Sequence, residues 1–207
     1  MKKLLKPLMT LLAVICLSGP VMAADAPVVG QAAPDFTATD IDGNAVKLSD
    51  LRDKIVVLEW HNPGCPFVVK HYETINMQKL QSEVTAKDVV WLSINSSAEG
   101  MEGNLTDAKA HDYIKTSGAK PTHYILDSKG ELGNLYQAKT TPHMFVIGKD
   151  GVLAYAGAID DTPTPRHEGV EKAKNYVRAA VDALIAGKPV EVATSQPYGC
   201  GVKYSTK

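Results

Sequence analysis

Cysteine is scarce in this chain: three in 207 residues, at positions 16, 65 and 200. So sparse a set cannot build the disulfide framework that stands in for a hydrophobic core in small secreted domains. Basic charge is not in excess either, with 22 Lys and Arg against 23 Asp and Glu, so there is no electrostatic footprint for nucleic acid. No apolar run reaches the roughly 20 residues of a membrane span, and the run Leu8 to Leu17 falls well short of it. Internal repeats and low-complexity tracts are also missing.

Lys2, Lys3 and Lys6, then Leu8 to Leu17, then Gly19-Pro20 and Val21-Met22-Ala23 read as a secretory signal over residues 1–23, cleaved after Ala23. Cys16 leaves with it, because Ile15 is not the small residue that precedes a lipidated cysteine. The expected location is exported, periplasmic or extracellular, with no membrane association after cleavage. The mature chain then carries 19 basic and 23 acidic residues and is long enough for one domain with a real core. Cys65 and Cys200 remain. In an oxidising compartment they are either a redox couple or one nucleophile and a bystander.

Along the chain, Val29 to Phe36 leads into a short strand, and Asp42-Gly43 reads as a hairpin turn before Val46 to Leu48. Strand 55–60, helix 66 to about 85 and strand 89–94 make a βαβ unit. In that helix Val69, Tyr72, Ile75, Leu80 and Val84 share one face at helical periodicity and are assigned to the core, with Lys70 and His71 off the stripe and solvated. A second helix over 107–116 ends near Gly118, followed by strand 122–126 and the turn Asp127 to Gly130. A β-hairpin spans 142–147 and 152–156 around Lys149-Asp150-Gly151. A helical segment covers 168–186, and the tail from Val190 is irregular.

The chemistry-bearing stretch is Trp60-His61-Asn62-Pro63-Gly64-Cys65-Pro66-Phe67. The apolar run Ile55 to Leu58 before it suits a strand covered on both faces. Pro66 suits the first helical position, where a missing N–H costs nothing. Cys65 then falls at a helix start, where free N–H groups and the positive end of the dipole favour a thiolate. The competing reading is an inert buried cysteine packed as a small hydrophobe.

Three features together resemble the thioredoxin fold in its redoxin, peroxiredoxin-like (AhpC/TSA-type) branch: Val29-Gly30 through Phe36, Trp60 through Cys65, and Thr140-Thr141-Pro142. The ending Pro197-Tyr198-Gly199-Cys200-Gly201-Val202-Lys203-Tyr204 is similar to that of secreted members with a single Cys-Pro-Phe motif. The resemblance implies an α/β, thioredoxin-like fold over residues 28–187, with a central mixed β-sheet flanked by helices and an N-terminal β-hairpin extension. An irregular tail, 188–207, carries Cys200. The resemblance also implies a cis Pro142 facing Cys65, with Thr141, Pro142, Pro66 and Trp60 contacting substrate. The chain departs from thioredoxins at Val68, where they carry their second cysteine, so local dithiol exchange is excluded. It departs from peroxiredoxins at Asn62 and Leu58, where they carry Thr and Pro, and none of Arg52, Arg166 and Arg178 lies next to the Pro142 strand.

Glu59 precedes Cys65 by six residues, the offset of the buried acid that assists proton transfer in thioredoxin; it is either desolvated with a raised pKa or solvated at a strand end. His61 and His143 are candidate partners of the sulfur or surface histidines, and with Cys65 they make a conceivable copper or zinc set. His111, His123 and His167 show no ligand spacing. The expected activity is a thiol-based oxidoreductase needing no cofactor. In it Cys65 attacks a disulfide or a peroxide, and Cys200 or an outside thiol, from a protein or a small reductant, resolves the product. A non-catalytic binding module or metal carrier is the alternative.

Overall fold

The computed structural model describes residues 26–205; the expected signal and Cys16 lie outside them. Strands β1 (Thr37–Thr39) and β2 (Ala45–Lys47) form the antiparallel hairpin around Asp42-Gly43. Asp40 shapes its turn by accepting from the backbone N–H of Asp42 at 3.0 Å and of Asn44 at 2.8 Å, as a turn carboxylate does. Strand β3 (Ile55–Trp60) is buried at every position. It pairs in parallel with β4 (Val89–Asn95), which pairs in parallel with β5 (His123–Leu126).

Strands β6 (Thr140–Thr141), β7 (His143–Ile147) and β8 (Leu153–Gly157) follow. Strand β7 runs antiparallel to β3, and β8 antiparallel to β7, so the central sheet has the order β5-β4-β3-β7-β8. Helices α1 (Pro66–Glu73), α2 (Asn76–Thr85), α3 (Asp107–Ser117), α4 (Glu131–Leu135) and α5 (Tyr176–Ile185) connect and cover it. Alternation along β3 feeds two cores. Ile55 and Val57 pack with Cys65, Val68, Leu80 and Val181 on one face, and Val56, Leu58 and Trp60 with Leu92, Tyr136 and Phe145 on the other. Each fully buried aliphatic side chain contributes about 1.5–3 kcal/mol. The α/β, thioredoxin-like architecture with a mixed sheet is the one the sequence implied.

Three local expectations fail. The helix expected over 66–85 is two helices, broken at Ile75, whose φ of 60° is left-handed. Side chains sustain the break: Asn76 bonds to His71 Nδ1 at 2.9 Å, and Gln78 Nε2 donates at 2.8 Å to the Tyr72 carbonyl, which also accepts from Ile75 N–H at 3.1 Å. Ile75 is therefore 50% exposed, and Met77 takes its place in the core. Lys70 and His71, expected in solvent, are fully buried, because the β8–α5 loop and the tail cover that face of α1. The helix expected from 168 begins only after Asn175, whose side chain caps Arg178 N–H. Before it, Lys174 N–H is held by Asp161, and Tyr176, the first helical residue, donates its N–H to the Ile159 carbonyl at 2.9 Å.

The tail is largely irregular, but its place is fixed. Strand β9 (Cys200–Gly201) pairs antiparallel with β6, setting Cys200 opposite Thr141 and Gly201 opposite Thr140. Ser195 Oγ accepts from Ala158 N–H at 2.9 Å, and Tyr204 Oη donates to the Ala138 carbonyl at 2.8 Å. Gly133 admits the Tyr204 ring, since a Cβ there would collide with its hydroxyl.

Candidate active site

Strand β3 ends at Trp60, and the loop to α1 is built by Asn62, whose Oδ1 accepts from Gly64 N–H at 2.8 Å. This delivers Cys65 to the N-cap of α1 with Pro66 as the first helical residue. Cys65 is 1% exposed. Its Sγ–H donates to the Thr141 carbonyl at 3.0 Å, and the Thr141–Pro142 peptide bond is cis. Thr141 itself is buried, with its hydroxyl unpartnered.

Cys200 arrives beside this carbonyl through the β6–β9 pairing. It packs against the core cluster that holds Cys65, and both cysteines are free thiols. Burial, then the hydrogen bond and charge of Cys65, push the Cys200 thiol up to about 12. Cys200 therefore keeps its proton across the neutral range. Val68, the substitute for a local second cysteine, is core.

Glu59 is fully buried on the Cys65 side of the sheet. Ser93 Oγ donates to it at 2.7 Å, Trp91 Nε1 at 2.9 Å, Tyr72 Oη at 3.0 Å and Gln81 Nε2 at 3.3 Å. Burial raises its pKa and outweighs these donors, which pull the other way. Of the two readings of Glu59, burial is the one the geometry gives.

His61 is buried, and both its ring nitrogens are engaged: Nε2 with Tyr113 Oη at 2.9 Å and Nδ1 with Tyr124 Oη at 2.7 Å. Desolvation lowers its pKa to about 3. A neutral imidazole with both nitrogens committed to tyrosines is no direct base for the sulfur. His143 stacks on Phe145 at 4.5 Å and accepts from Lys139 N–H at 3.3 Å; burial lowers its pKa to about 4. Trp60, expected at the substrate, is wholly buried on the opposite face of the sheet, where Nε1 donates to Ser96 Oγ at 3.1 Å. Its place in β3, out of phase with Glu59, dictates this. Pro66 stays exposed beside Cys65. Among the described residues, no group of three or more His, Cys, Asp and Glu side chains is placed to hold a metal ion.

The arrangement also includes residues to which the sequence assigned no part in the site. Tyr72, Tyr113 and Tyr124 ring His61 from three different elements, with ring centroids 5.3, 4.8 and 5.5 Å away. Lys70, His71, Asp160 and Tyr198 form a second buried polar cluster beneath the tail. No local spacing announces either set.

A cysteine at a helix start, bonded to the carbonyl that precedes a cis-proline, in a fold with a mixed central sheet, defines a thioredoxin-fold thiol protein. The family model for the AhpC/TSA family matches residues 29–156, more than half of the chain. The chain belongs to that family. It is 33% identical over 141 residues to a protein named as a peroxiredoxin in Synechocystis, covering 62% of this chain and 67% of that one. It is 27% identical over 123 residues to the thiol-disulfide oxidoreductase ResA of Bacillus thuringiensis. That match takes in 59% of this chain and spans 65% of the relative's length. Among solved structures, an uncharacterised conserved protein of Geobacillus kaustophilus is similar with a TM-score of 0.76 and 27% identity, covering 92% of this chain and all of that one.

Proposed function

We propose that the protein is an exported thiol oxidoreductase in which Cys65 is the nucleophile and Cys200 resolves its product. The observation that carries this is the pairing of β9 with β6, which sets Cys200 opposite Thr141, the residue whose carbonyl accepts from Cys65 Sγ at 3.0 Å. With a peroxide, the Cys65 sulfur attacks oxygen; the O–O bond breaks, a sulfenic acid forms and an alcohol or water leaves. The Cys200 sulfur then attacks that sulfenic acid, forming the S–S bond and releasing water. With a disulfide, Cys65 forms a mixed disulfide, one substrate sulfur leaves as a thiol, and Cys200 displaces the other. An external thiol, small or protein-borne, returns both cysteines to the reduced form.

The remaining residues take supporting parts. Glu59 is the buried acid available for proton exchange, and Thr141 offers a buried hydroxyl without a partner next to the sulfur's acceptor. His61 holds Tyr113 and Tyr124 through its two ring nitrogens. Names of relatives that include a peroxiredoxin and a thiol-disulfide oxidoreductase agree with thiol redox chemistry. The test is intact mass and peptide mapping after one equivalent of oxidant. The wild type should lose about 2 Da in a Cys65–Cys200 cross-link, and Cys200→Ser should hold a sulfenic acid on Cys65. A Cys200→Ser protein that turns over as fast as wild type refutes the assignment of the resolving thiol.

A further inference from the structure

A strand with unpaired main-chain groups next to a nucleophile can receive an extended peptide by strand addition. Here the main chain before Pro142 is already paired. Thr140 and Thr141 face Gly201 and Cys200, and Val202 N–H extends the pairing to the Lys139 carbonyl at 3.1 Å. Gly199 lies so close that a Cβ on it would collide with the Thr141 carbonyl oxygen, the same atom that accepts from Cys65. With the tail in place Cys65 is 1% exposed.

Two residues before Cys200, Tyr198 ties this strand down. Its hydroxyl donates to Asp160 and lies 3.3 Å from Lys70 Nζ and 3.4 Å from His71 Nε2. Its ring packs on Phe67 at 5.9 Å and stands 4.9 Å from the Lys70 ammonium. Lys70 and His71 are fully buried and Asp160 is 2% exposed. Buried groups of this kind are tolerated only when they are partnered. One hydroxyl reaches all three, so withdrawing Tyr198 would take a shared partner from each, leaving Lys70 the Thr162 carbonyl, His71 the Asn76 side chain and Asp160 the Thr162 N–H.

We propose that the tail strand is a built-in occupant of the substrate strip, and that Tyr198 is the positioning and specificity-determining residue that holds it there. The inference rests on the Cys65–Cys200 reading above. Small oxidants and small disulfides then reach Cys65 past an intact tail, whereas a disulfide carried on an extended peptide reaches it only after Tyr198 leaves its pocket. The redox step with such a peptide is balanced: its S–S bond breaks, Cys65 and then Cys200 supply two electrons, two peptide thiols leave, and the Cys65–Cys200 bond forms.

The test uses Tyr198→Phe, which removes only the hydroxyl, and Gly199→Ala, which pushes the strand off Thr141 by an independent route. In a Cys200→Ser background, each substitution should speed iodoacetamide alkylation of Cys65 by about tenfold or more, the scale of one lost hydrogen bond to a charged partner. With Cys200 present, equilibration against glutathione should shift the Cys65–Cys200 couple about tenfold toward the dithiol, since the tail sets the effective concentration of Cys200. Oxidation by a cystine-bridged decapeptide should accelerate relative to oxidation by glutathione disulfide. Unchanged alkylation, equilibrium and peptide-to-glutathione ratio in both variants, with melting that shows them folded, would overturn the proposal. If the wild type forms no Cys65–Cys200 disulfide at all, the functional reading fails separately, and the alkylation rates still report on the tail.

Discussion

Replacing His61 by glutamine should change how stability depends on pH, by an amount the site itself fixes. His61 is 1% exposed, and burial lowers its pKa to about 3 in the folded protein, against about 6.5 when unfolded. The folded-state value is depressed, so between these limits the unfolded chain binds the proton and the native one does not. The stability His61 contributes is therefore present above about pH 6.5 and lost as pH falls, at about 1.4 kcal/mol per pH unit. Between pH 6.5 and pH 5 the loss is about 2 kcal/mol, a sizeable part of the 5–15 kcal/mol that holds a domain together. His71 and His143, lowered by burial to about 3 and about 4, act in the same direction. The raised carboxyls of Glu59 and Asp160 act in the opposite one. A wild-type curve alone therefore mixes five groups, and the difference between wild type and His61→Gln isolates one. Glutamine keeps a donor and an acceptor for Tyr113 and Tyr124. Urea unfolding of the reduced proteins at pH 7, 6 and 5, followed by the fluorescence of the buried Trp60 and Trp91, should show the variant losing about 2 kcal/mol less than wild type down to pH 5. Parallel curves with equal urea dependence would refute the buried, neutral imidazole.

Glu59→Gln should show the reverse sign. A folded pKa raised above the unfolded value means that the contribution of Glu59 is complete below about pH 4.5 and is lost as pH rises through the folded value, at about 1.4 kcal/mol per unit. Urea unfolding between pH 4.5 and 8 should therefore find the wild-type advantage over the variant shrinking with pH; an advantage that grows contradicts it. Cys200, pushed up to about 12, should label with iodoacetamide at a rate that still climbs about tenfold per pH unit at pH 9, and Cys65→Ser should speed that labelling. A plateau near pH 8.5 in the wild type would place Cys200 outside the pair.

How much of this could be read from the sequence follows the range of the interactions. Strand β3, the Gly-Cys-Pro helix start and the Lys149-Asp150-Gly151 hairpin are written in neighbouring residues, and they form where periodicity and turn chemistry put them. The break at Ile75 is not legible, because a β-branched residue in a left-handed conformation contradicts local preference and is sustained by side chains of Asn76 and Gln78 acting on the turn behind them. Lys70 and His71 read as solvated for a similar reason. Their partners, Asp160 and Tyr198, lie roughly 90 and 130 positions further on, and helical periodicity carries no information about what will cover a polar face. Trp60 shows the converse. The family resemblance implied substrate contact, yet the strict alternation of β3 already assigned it to the face away from Cys65.

The tail poses the sharpest case of long-range placement. A two-residue strand supplies too few backbone bonds to hold itself, since strands in stable sheets run to about five or six residues. Cys200 nevertheless stays beside Cys65, 135 positions away in sequence, because anchors flank it on both sides: Ser195 and Tyr198 before it, Tyr204 after it. The anchors bind two separate segments: Ser195 and Tyr198 hold Ala158 and Asp160 in the loop after β8, and Tyr204 holds Ala138 before β6. The geometry of the thiol pair is thus set by residues that touch neither sulfur. A substitution at an anchor changes the probability that Cys200 stands at the Thr141 carbonyl, while one at the pair changes the chemistry once it is there. These two effects separate experimentally, because losing an anchor alters the effective concentration of Cys200 at Cys65 while both thiols remain chemically intact.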